Sequence, residues 1–228
     1  MQDQAAAQAA GRVALVAGAT GLVGREVLAA LLTDKRYAAV HAVGRRPSTV
    51  KHAKLFNHVV DFTASPMLSD IAGIDDVFIA LGTTIKVAGS QQAFRAVDFG
   101  AVVAIARAAR ARGATRLGVV SAMGANPTSS IFYSRVKGEM EAAVTALGYP
   151  TLIIARPSML VGDRKALGQP ERPGERLAAL AMPLLKQLIP ANYRAIAAAQ
   201  VARALLAALQ GTDQGVRVLL SGDMQQIR

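Results

Sequence analysis

Residues 12–32 read RVALVAGATGLVGREVLAALL and place three glycines at three-residue intervals. Residues 12–17 form a mostly apolar run typical of a buried strand, and residues 22–34 have the apolar spacing of a helix. Gly18, Gly21 and Gly24 lie where the predicted strand ends and the predicted helix begins. The start of a helix carries unpaired N–H groups and the positive end of the helix dipole. The stretch therefore predicts a strand–turn–helix unit able to hold a phosphate-bearing ligand.

The same alternation continues along the chain. Strand-like runs occupy residues 12–17, 38–43, 57–62, 75–81, 115–122, 151–156 and 216–221, and helical runs occupy 22–34, 90–112, 130–147, 174–188 and 195–210. The strands lack polar/apolar alternation, as expected when both faces of a sheet are covered. We therefore predict an α/β fold, a Rossmann-type doubly wound parallel sheet with helices on both faces.

The length of 228 residues fits one domain of this kind. We expect residues 1–11 to be a flexible leader and residues 157–215 to contribute a small substrate-side region. Within that region, residues 162–174 (GDRKALGQPERPG) are polar and rich in Gly and Pro, which predicts a long loop. This loop is either a lid over the ligand crevice or a surface insertion.

Composition excludes several classes of protein. The formal charge is +11, but the basic residues are dispersed and lack interleaved aromatics, so we do not expect a nucleic-acid partner. No apolar run reaches the roughly 18 residues that a membrane span needs, and no secretory signal is visible, which favours the cytoplasm. The chain has no cysteine, and its three histidines lack ligand spacing, so we assign no metal. The apolar segment 177–190 predicts a helix that covers the crevice or forms a homodimer. A protein partner is the alternative to a homodimer.

Each glycine of the turn has a distinct expected role. Gly18 permits the tight turn, Gly21 lets the backbone approach a pyrophosphate, and Gly24 lets the helix pack closely. Thr20 adds a hydroxyl donor. The whole turn is the expected pyrophosphate site: Gly18, Ala19, Thr20, Gly21, Leu22, Val23 and Gly24.

The end of the second strand bears on which dinucleotide binds. NAD sites place an acid there to accept a hydrogen bond from the ribose 2′-hydroxyl, but this chain has Arg45 and Arg46. Two guanidiniums can hold a 2′-phosphate, so we expect NADPH/NADP in preference to NAD. The alternative is a pair of exposed arginines in a turn before Pro47. Asp61 is expected to accept from the adenine amino group, with Phe62 lining the adenine ring.

A second set of residues points to chemistry beside that cofactor. In "ALGT", Leu81, Gly82 and Thr83 are expected to lie against the ribose and nicotinamide. Tyr133 and Lys137 lie one helical turn apart, and a nearby ammonium stabilises a phenolate, which makes a tyrosine a usable proton donor or acceptor. Ser121, at the end of the fifth strand, can hydrogen-bond a substrate carbonyl. The set predicts hydride transfer to or from a small carbonyl or hydroxyl substrate, with a proton passing through Tyr133.

The motifs GATGLVG, ALGTT, VVSAMGAN, YSRVKGEME and ARPSMLVGDR together resemble the short-chain dehydrogenase/reductase superfamily. The resemblance is to its extended or atypical, NAD(P)-dependent epimerase/dehydratase-like branch, and most of all to the Tat-interacting oxidoreductase group. It implies an NADP-dependent oxidoreductase with Ser121, Tyr133 and Lys137 as catalytic residues. It also implies that Tyr133, Lys137 and Pro157 contact the cofactor.

Two features depart from that branch. Asp98 stands where sugar-nucleotide epimerases usually place Asn, and only about seventy residues follow Arg156, fewer than a large substrate domain needs. The resemblance to the Tat-interacting group also implies an alternative function. In that case the chain is a regulatory or redox-sensing protein that binds NADPH with little or no turnover.

Overall fold

The computed structural model describes residues 11–62, 68, 71, 73–162 and 189–227. Its main sheet contains β1 (Arg12–Ala17), β2 (Tyr37–Gly44), β3 (Leu55–Val59), β4 (Asp76–Ile79), β5 (Arg116–Val120), β6 (Thr151–Arg156) and β9 (Gly215–Leu220). A separate two-stranded sheet pairs β7 (Leu160–Val161) with β8 (Ile196–Ala197). All seven strands of the main sheet are parallel, in the order β3-β2-β1-β4-β5-β6-β9. The order reverses between β1 and β4, which confirms the doubly wound topology.

The helices of the described residues are α1 (Leu22–Thr33), α2 (Ile85–Ala88), α3 (Gln91–Arg95), α4 (Val102–Ala111), α5 (Phe132–Thr145), α6 (Ala198–Gln210) and α7 (Ser221–Gln226). Side chains alternate along β1, so Ala14 and Val16 face a core that includes α1 and α6. Leu15 and Ala17 face the opposite core, which includes α4 and α5. Helices therefore cover both faces of the sheet, as predicted.

Most element bounds agree with the prediction to within one or two residues, and β1 and β6 match it fully. The predicted helix over 90–112 is divided into α3, a π-helical segment (Ala96–Ala101) and α4. Four short elements were not predicted: α2, α7, the β7–β8 pair and a 3-10 turn (Ala191–Tyr193). The expected leader, except Gly11, the loop 162–174, except Gly162, and the helix 174–188 lie outside the described residues.

The prediction that every strand is buried on both faces was wrong for β3 and β9. Phe56 and Val59 on β3 are 49% and 65% exposed, and Val216 on β9 is 52% exposed. These are the two outer strands of the sheet, so each has a single neighbour in the described fold. Their apolar composition therefore reflects strand-forming preference rather than burial.

One buried carboxylate holds the amino ends of the central strands together. Asp76 is 1% exposed and accepts two hydrogen bonds from Arg12 (2.6 and 2.7 Å) and one from the Tyr37 hydroxyl (2.6 Å). The Arg116 guanidinium lies 3.6 Å away. Burial, together with the Asp76 charge, raises the pKa of Tyr37 above its usual range. Four strands therefore meet at one satisfied anion.

The turn between β1 and α1 has no space for side chains at two of its glycines. Gly18 has φ +86°, and a Cβ there would lie 2.6 Å from the carbonyl oxygen of Ala80. A Cβ on Gly24 would lie 2.0 Å from the carbonyl oxygen of Gly18. The glycines therefore let the turn contact the end of β4 and let α1 start directly against it.

We expect Gly24→Ala to lower the free energy of unfolding by about 2 kcal/mol or more, because the methyl group overlaps a backbone carbonyl that cannot move independently. Denaturant unfolding measures this. Gly100→Ala is the matched control, since a Cβ at this helical glycine would lie 3.9 Å from the nearest atom, the Arg95 carbonyl oxygen. We expect a change within about 1 kcal/mol there. Equal losses in the two variants would contradict the close approach at Gly24.

Candidate functional site

The candidate site lies along the carboxyl ends of the strands, at the point where the strand order reverses. The segments that follow β2, β1, β4, β5 and β6 carry the predicted residues in that spatial order. From β2 to β5 is three interstrand steps, or roughly 14 Å. An extended ligand can therefore contact segments from both halves of the sheet.

The helix start at the centre of this edge offers backbone donors. Gly21 is the N-cap of α1 and its own N–H bonds to the Gly18 carbonyl (2.9 Å). The side chains of Ala19, Leu22 and Val23 are buried in the core on the α1 side. Any contact of these three residues with a ligand is therefore made by their backbone N–H groups, while Thr20 is exposed. The geometry suits a phosphate group without any charged side chain in the turn.

The residues expected around the adenosine part lie beside this turn. Arg45 and Arg46 are exposed just after β2 and have no ion-pair partner among the residues described. Asp61 is exposed and Phe62 is half-buried against the core on the α4 side. Part of the Phe62 side chain therefore packs inward, and the rest is accessible to a ligand.

Ser121 stands directly after β5 and is 5% exposed. Its backbone N–H is bonded to the Ala155 carbonyl (2.7 Å), but its Oγ has no hydrogen-bond partner within the described ranges. Next to it, Met123 N–H bonds to the carbonyl of Pro157 (3.0 Å), which joins the segments after β5 and β6. A buried hydroxyl without a partner is costly unless a ligand supplies one.

Tyr133 is the second residue of α5 and is 37% exposed. Its ring packs at 5.5 Å, centroid to centroid, from the fully buried ring of Phe94. This contact holds the phenol at the carboxyl edge of the sheet. The described residues form no hydrogen bond with its hydroxyl, so the oxygen is available to a ligand.

Lys137 lies one turn further along α5 and is 3% exposed. Its Nζ lies 2.7 Å from Oδ1 of Asp98, and the other carboxylate oxygen of Asp98 accepts the Thr83 N–H (2.9 Å). Lys137, Asp98 and Thr83 are thus connected in one chain of contacts. Leu81 and Gly82 lie in the same segment after β4, Leu81 half-buried and Gly82 exposed.

Two further contacts fix α5 and were missed in the sequence. A Cβ on Gly138 would lie 2.2 Å from the backbone of both Asn126 and Pro127, so the helix packs directly on the segment after β5. Arg156 at the end of β6 forms a bidentate pair with the buried Glu141 (3.0 and 2.5 Å). A glycine inside a helix costs about 1 kcal/mol relative to alanine. The presence of Gly138 inside a predicted helix was therefore the sign in the sequence of a close contact there.

Two of the three histidines, His41 and His58, are in contact with each other. His41 Nδ1 and His58 Nε2 are 2.8 Å apart across β2 and β3, and the His41 ring stacks on Phe56. Throughout the described residues, no three His, Cys, Asp or Glu side chains are grouped as metal ligands would be. Burial, with a contribution from His58, lowers the pKa of His41 to about 4.

We expect stability to fall as the pH falls from about 6.5 to about 4, because there the unfolded chain binds a proton at residue 41 that the folded chain excludes. Thermal unfolding as a function of pH measures this. His41→Gln removes this part of the dependence, whereas His52→Gln, at an exposed position, retains it. An unchanged pH profile in His41→Gln would show that His41 is not the group responsible.

A family model described as NAD(P)H-binding matches residues 18–212, from the glycine turn to beyond α6. The chain belongs to this NAD(P)H-binding family. The match includes the turn, the segment after β4, Ser121, Tyr133 and Lys137.

The part of the chain that the structure describes contains no helix long and apolar enough to cross a membrane.

Curated relatives include mitochondrial proteins of fungi. "Protein fmp52, mitochondrial" of Aspergillus fumigatus is 40% identical over 170 residues, 72% of this chain and 70% of the relative. "Protein FMP52-1, mitochondrial" of Scheffersomyces stipitis is 36% identical, over 67% of this chain and 69% of the relative. These names contradict the expected cytoplasmic location. That expectation was wrong because the absence of a secretory signal does not distinguish the cytoplasm from the inside of an organelle.

Solved structures share the fold of this NAD(P)H-binding chain. MoeE5 in complex with UDP-glucose and NAD has a TM-score of 0.69 at 19% identity, over 92% of this chain and 75% of MoeE5. A short chain dehydrogenase family protein from Francisella tularensis has a TM-score of 0.67 at 14% identity, over 95% of this chain and 100% of that protein. UDP-glucuronic acid 4-epimerase from Bacillus cereus in complex with NAD has a TM-score of 0.66 at 15% identity, over 91% and 78% of the two chains. At these identities the likeness concerns the fold alone.

Proposed function

We propose that the chain is an NADP-dependent oxidoreductase of the short-chain dehydrogenase/reductase type, which transfers hydride to or from a small carbonyl or hydroxyl substrate. The observation that carries this proposal is the Ser121 hydroxyl, buried and without a partner in the described chain. It stands at the carboxyl end of β5, beside the segment on which α5 and its Tyr133 and Lys137 are packed. A substrate oxygen would satisfy it.

The residues present fit a dinucleotide. The glycine turn and the first N–H groups of α1 would hold the pyrophosphate, and Lys137 the ribose hydroxyls. The segment Leu81–Thr83 would pass along the nicotinamide half, with Tyr133 and Pro157 at its border. The nicotinamide supplies or accepts the hydride. Phe62 and Asp61 would border the adenine.

The protein's own part in the reaction is the handling of one oxygen and one proton. Ser121 Oγ–H donates a hydrogen bond to the substrate oxygen and so orients the carbonyl. The Tyr133 hydroxyl gives its proton to that oxygen during reduction and takes it back during oxidation. Lys137, one helical turn from Tyr133, would hold the ribose beside these two hydroxyls.

We expect Tyr133→Phe to lower kcat by about 100-fold or more, because it removes the proton donor while retaining the ring that packs on Phe94. NADPH absorbance over a panel of aldehydes and ketones measures turnover, and fluorescence titration measures cofactor affinity. Tyr193→Phe, at a 62% exposed tyrosine, is the matched control and should retain full activity. Equal rates in Tyr133→Phe and the parent protein would refute the proposed role of Tyr133.

The second candidate function is cofactor binding for regulation or redox sensing, with little or no turnover. The ion pair between Lys137 and Asp98 (2.7 Å from Nζ to Oδ1) favours this candidate. The pair neutralises the charge of a lysine that the reaction would use. A parent protein that binds NADPH tightly but reduces no member of the panel would support this candidate. A partner protein that associates only with the NADPH-bound form would support it further.

The cofactor preference is proposed from Arg45 and Arg46, which are exposed at the end of β2 and have no ion-pair partner among described residues. The 2′-phosphate of NADPH would give both guanidiniums a partner, whereas the 2′-hydroxyl of NADH would not.

We expect Arg45→Ala combined with Arg46→Ala to weaken NADPH binding by about 10- to 100-fold and to leave NADH binding nearly unchanged, because charged hydrogen bonds to the phosphate are lost. Titration of both cofactors measures the two dissociation constants. Arg107→Ala combined with Arg203→Ala, at exposed positions on α4 and α6, removes the same two charges and controls for the change in net charge. Tight NADH binding by the parent protein would contradict the proposed preference.

A further inference from the structure

Asp98 connects three parts of the candidate site. It lies in the π-helical segment Ala96–Ala101 between α3 and α4, and it is 1% exposed. One of its carboxylate oxygens lies 2.7 Å from Lys137 Nζ on α5, and the other accepts the Thr83 N–H (2.9 Å) in the segment after β4. The carboxylate therefore fixes the lysine relative to the segment on which the nicotinamide half of the cofactor is expected to lie.

Both charges of this pair are withdrawn from water. The Lys137 and Asp98 side chains are 4% and 1% exposed, so each requires the other to remain ionised. The contact is an ion pair, so it fixes the position of Nζ close to Oδ1 of Asp98.

The other charged groups on the elements around Lys137 have partners of their own. Arg95 at the end of α3 pairs with Glu139, and Arg156 at the end of β6 pairs with Glu141. Tyr133 is the remaining titratable group on the same face of α5. Within the described chain, Asp98 is therefore the carboxylate that balances the charge of Lys137.

We propose that Asp98 is a positioning residue of the proposed reaction, which keeps Lys137 charged and aligned with the cofactor segment at Thr83. The inference rests on the proposed function, because it assumes that Lys137 binds the ribose of NADPH. Asp98 touches neither substrate nor cofactor in this scheme. It acts through Lys137 and through the Thr83 N–H.

Asp98→Asn removes the negative charge and keeps the size and shape of the side chain nearly unchanged. The amide oxygen can still accept the Thr83 N–H, but the counter-charge of Lys137 is lost. Burial disfavours an unpaired ammonium, so Lys137 in this variant releases its proton more readily. NADPH binding by Asp98→Asn should therefore weaken as the pH rises, by about tenfold or more beyond any change in the parent protein between about pH 6.5 and about pH 9.5.

The experiment measures the NADPH dissociation constant by fluorescence across this pH range for the parent protein, Asp98→Asn, Lys137→Met and the double variant. We expect the extra pH dependence in Asp98→Asn and not in the double variant, because the double variant has neither ionisable group of the pair. A merely structural Asp98 would lower the thermal unfolding temperature without changing how affinity depends on pH. A pH profile of Asp98→Asn parallel to that of the parent protein would overturn the proposal.

The double variant keeps the proposal testable if Asp98→Asn does not fold, because it leaves no unpaired buried charge. Asp98 acts through Lys137, so the double variant should bind NADPH with the affinity of Lys137→Met alone. An affinity several-fold weaker would show that Asp98 acts independently of Lys137, and the proposal would fail. These binding measurements need no turnover, so a parent protein that binds NADPH but reduces no substrate would refute the proposed reaction and still decide the role of Asp98.

Discussion

The fold depends on the close approach of backbone atoms around Gly18. A side chain at Gly18 would overlap the carbonyl of Ala80, and one at Gly24 would overlap the carbonyl of Gly18 itself. The end of β1, the end of β4 and the first turn of α1 are therefore held in direct contact. This contact falls where the strand order reverses, so it also determines where the crevice lies. The constraint that allows the chain to fold is thus the one that brings a helix start to the ligand site.

Buried carboxylates organise both ends of the sheet, but in different ways. At the amino ends, Asp76 is surrounded by Arg12, Tyr37 and Arg116, all on strands of the same sheet, so its contacts tie strands to strands. At the carboxyl ends, Asp98 and Glu141 pair with cations from other elements, and their contacts tie helices to strand ends. Each carboxylate is neutralised by a cation in contact with it, so none of the three is an unpaired buried charge. Asp98 and Glu141 therefore position groups at the carboxyl ends of the strands, whereas Asp76 stabilises the sheet itself.

The sequence was sufficient to predict the features of the fold that depend on the local spacing of apolar residues. The strand and helix bounds, the glycine turn and the parallel topology follow from apolar spacing and from the order of elements. Because strand ends share one edge, the positions of Ser121 and of the segment Leu81–Thr83 follow as well. The pairing of Asp98 with Lys137 could not be predicted, since it depends on how α5 packs against a π-helical segment distant in the sequence. The exposure of β3 and β9 was missed for a similar reason, because a strand's place in the sheet is a property of the whole topology.

The polar groups of the site fall into two kinds, and the difference indicates their roles. Asp98, Glu141 and Arg156 are ion-paired with other side chains, and each holds an element in place. Ser121 Oγ and the Tyr133 hydroxyl have no hydrogen-bond partner in the described ranges, although Ser121 is buried. Leaving a buried hydroxyl unpaired costs about 1–3 kcal/mol, and a ligand oxygen that completes the hydrogen bond recovers this free energy. The hydroxyls without a partner are therefore those expected to meet a substrate, and the ion-paired groups are those that hold them there.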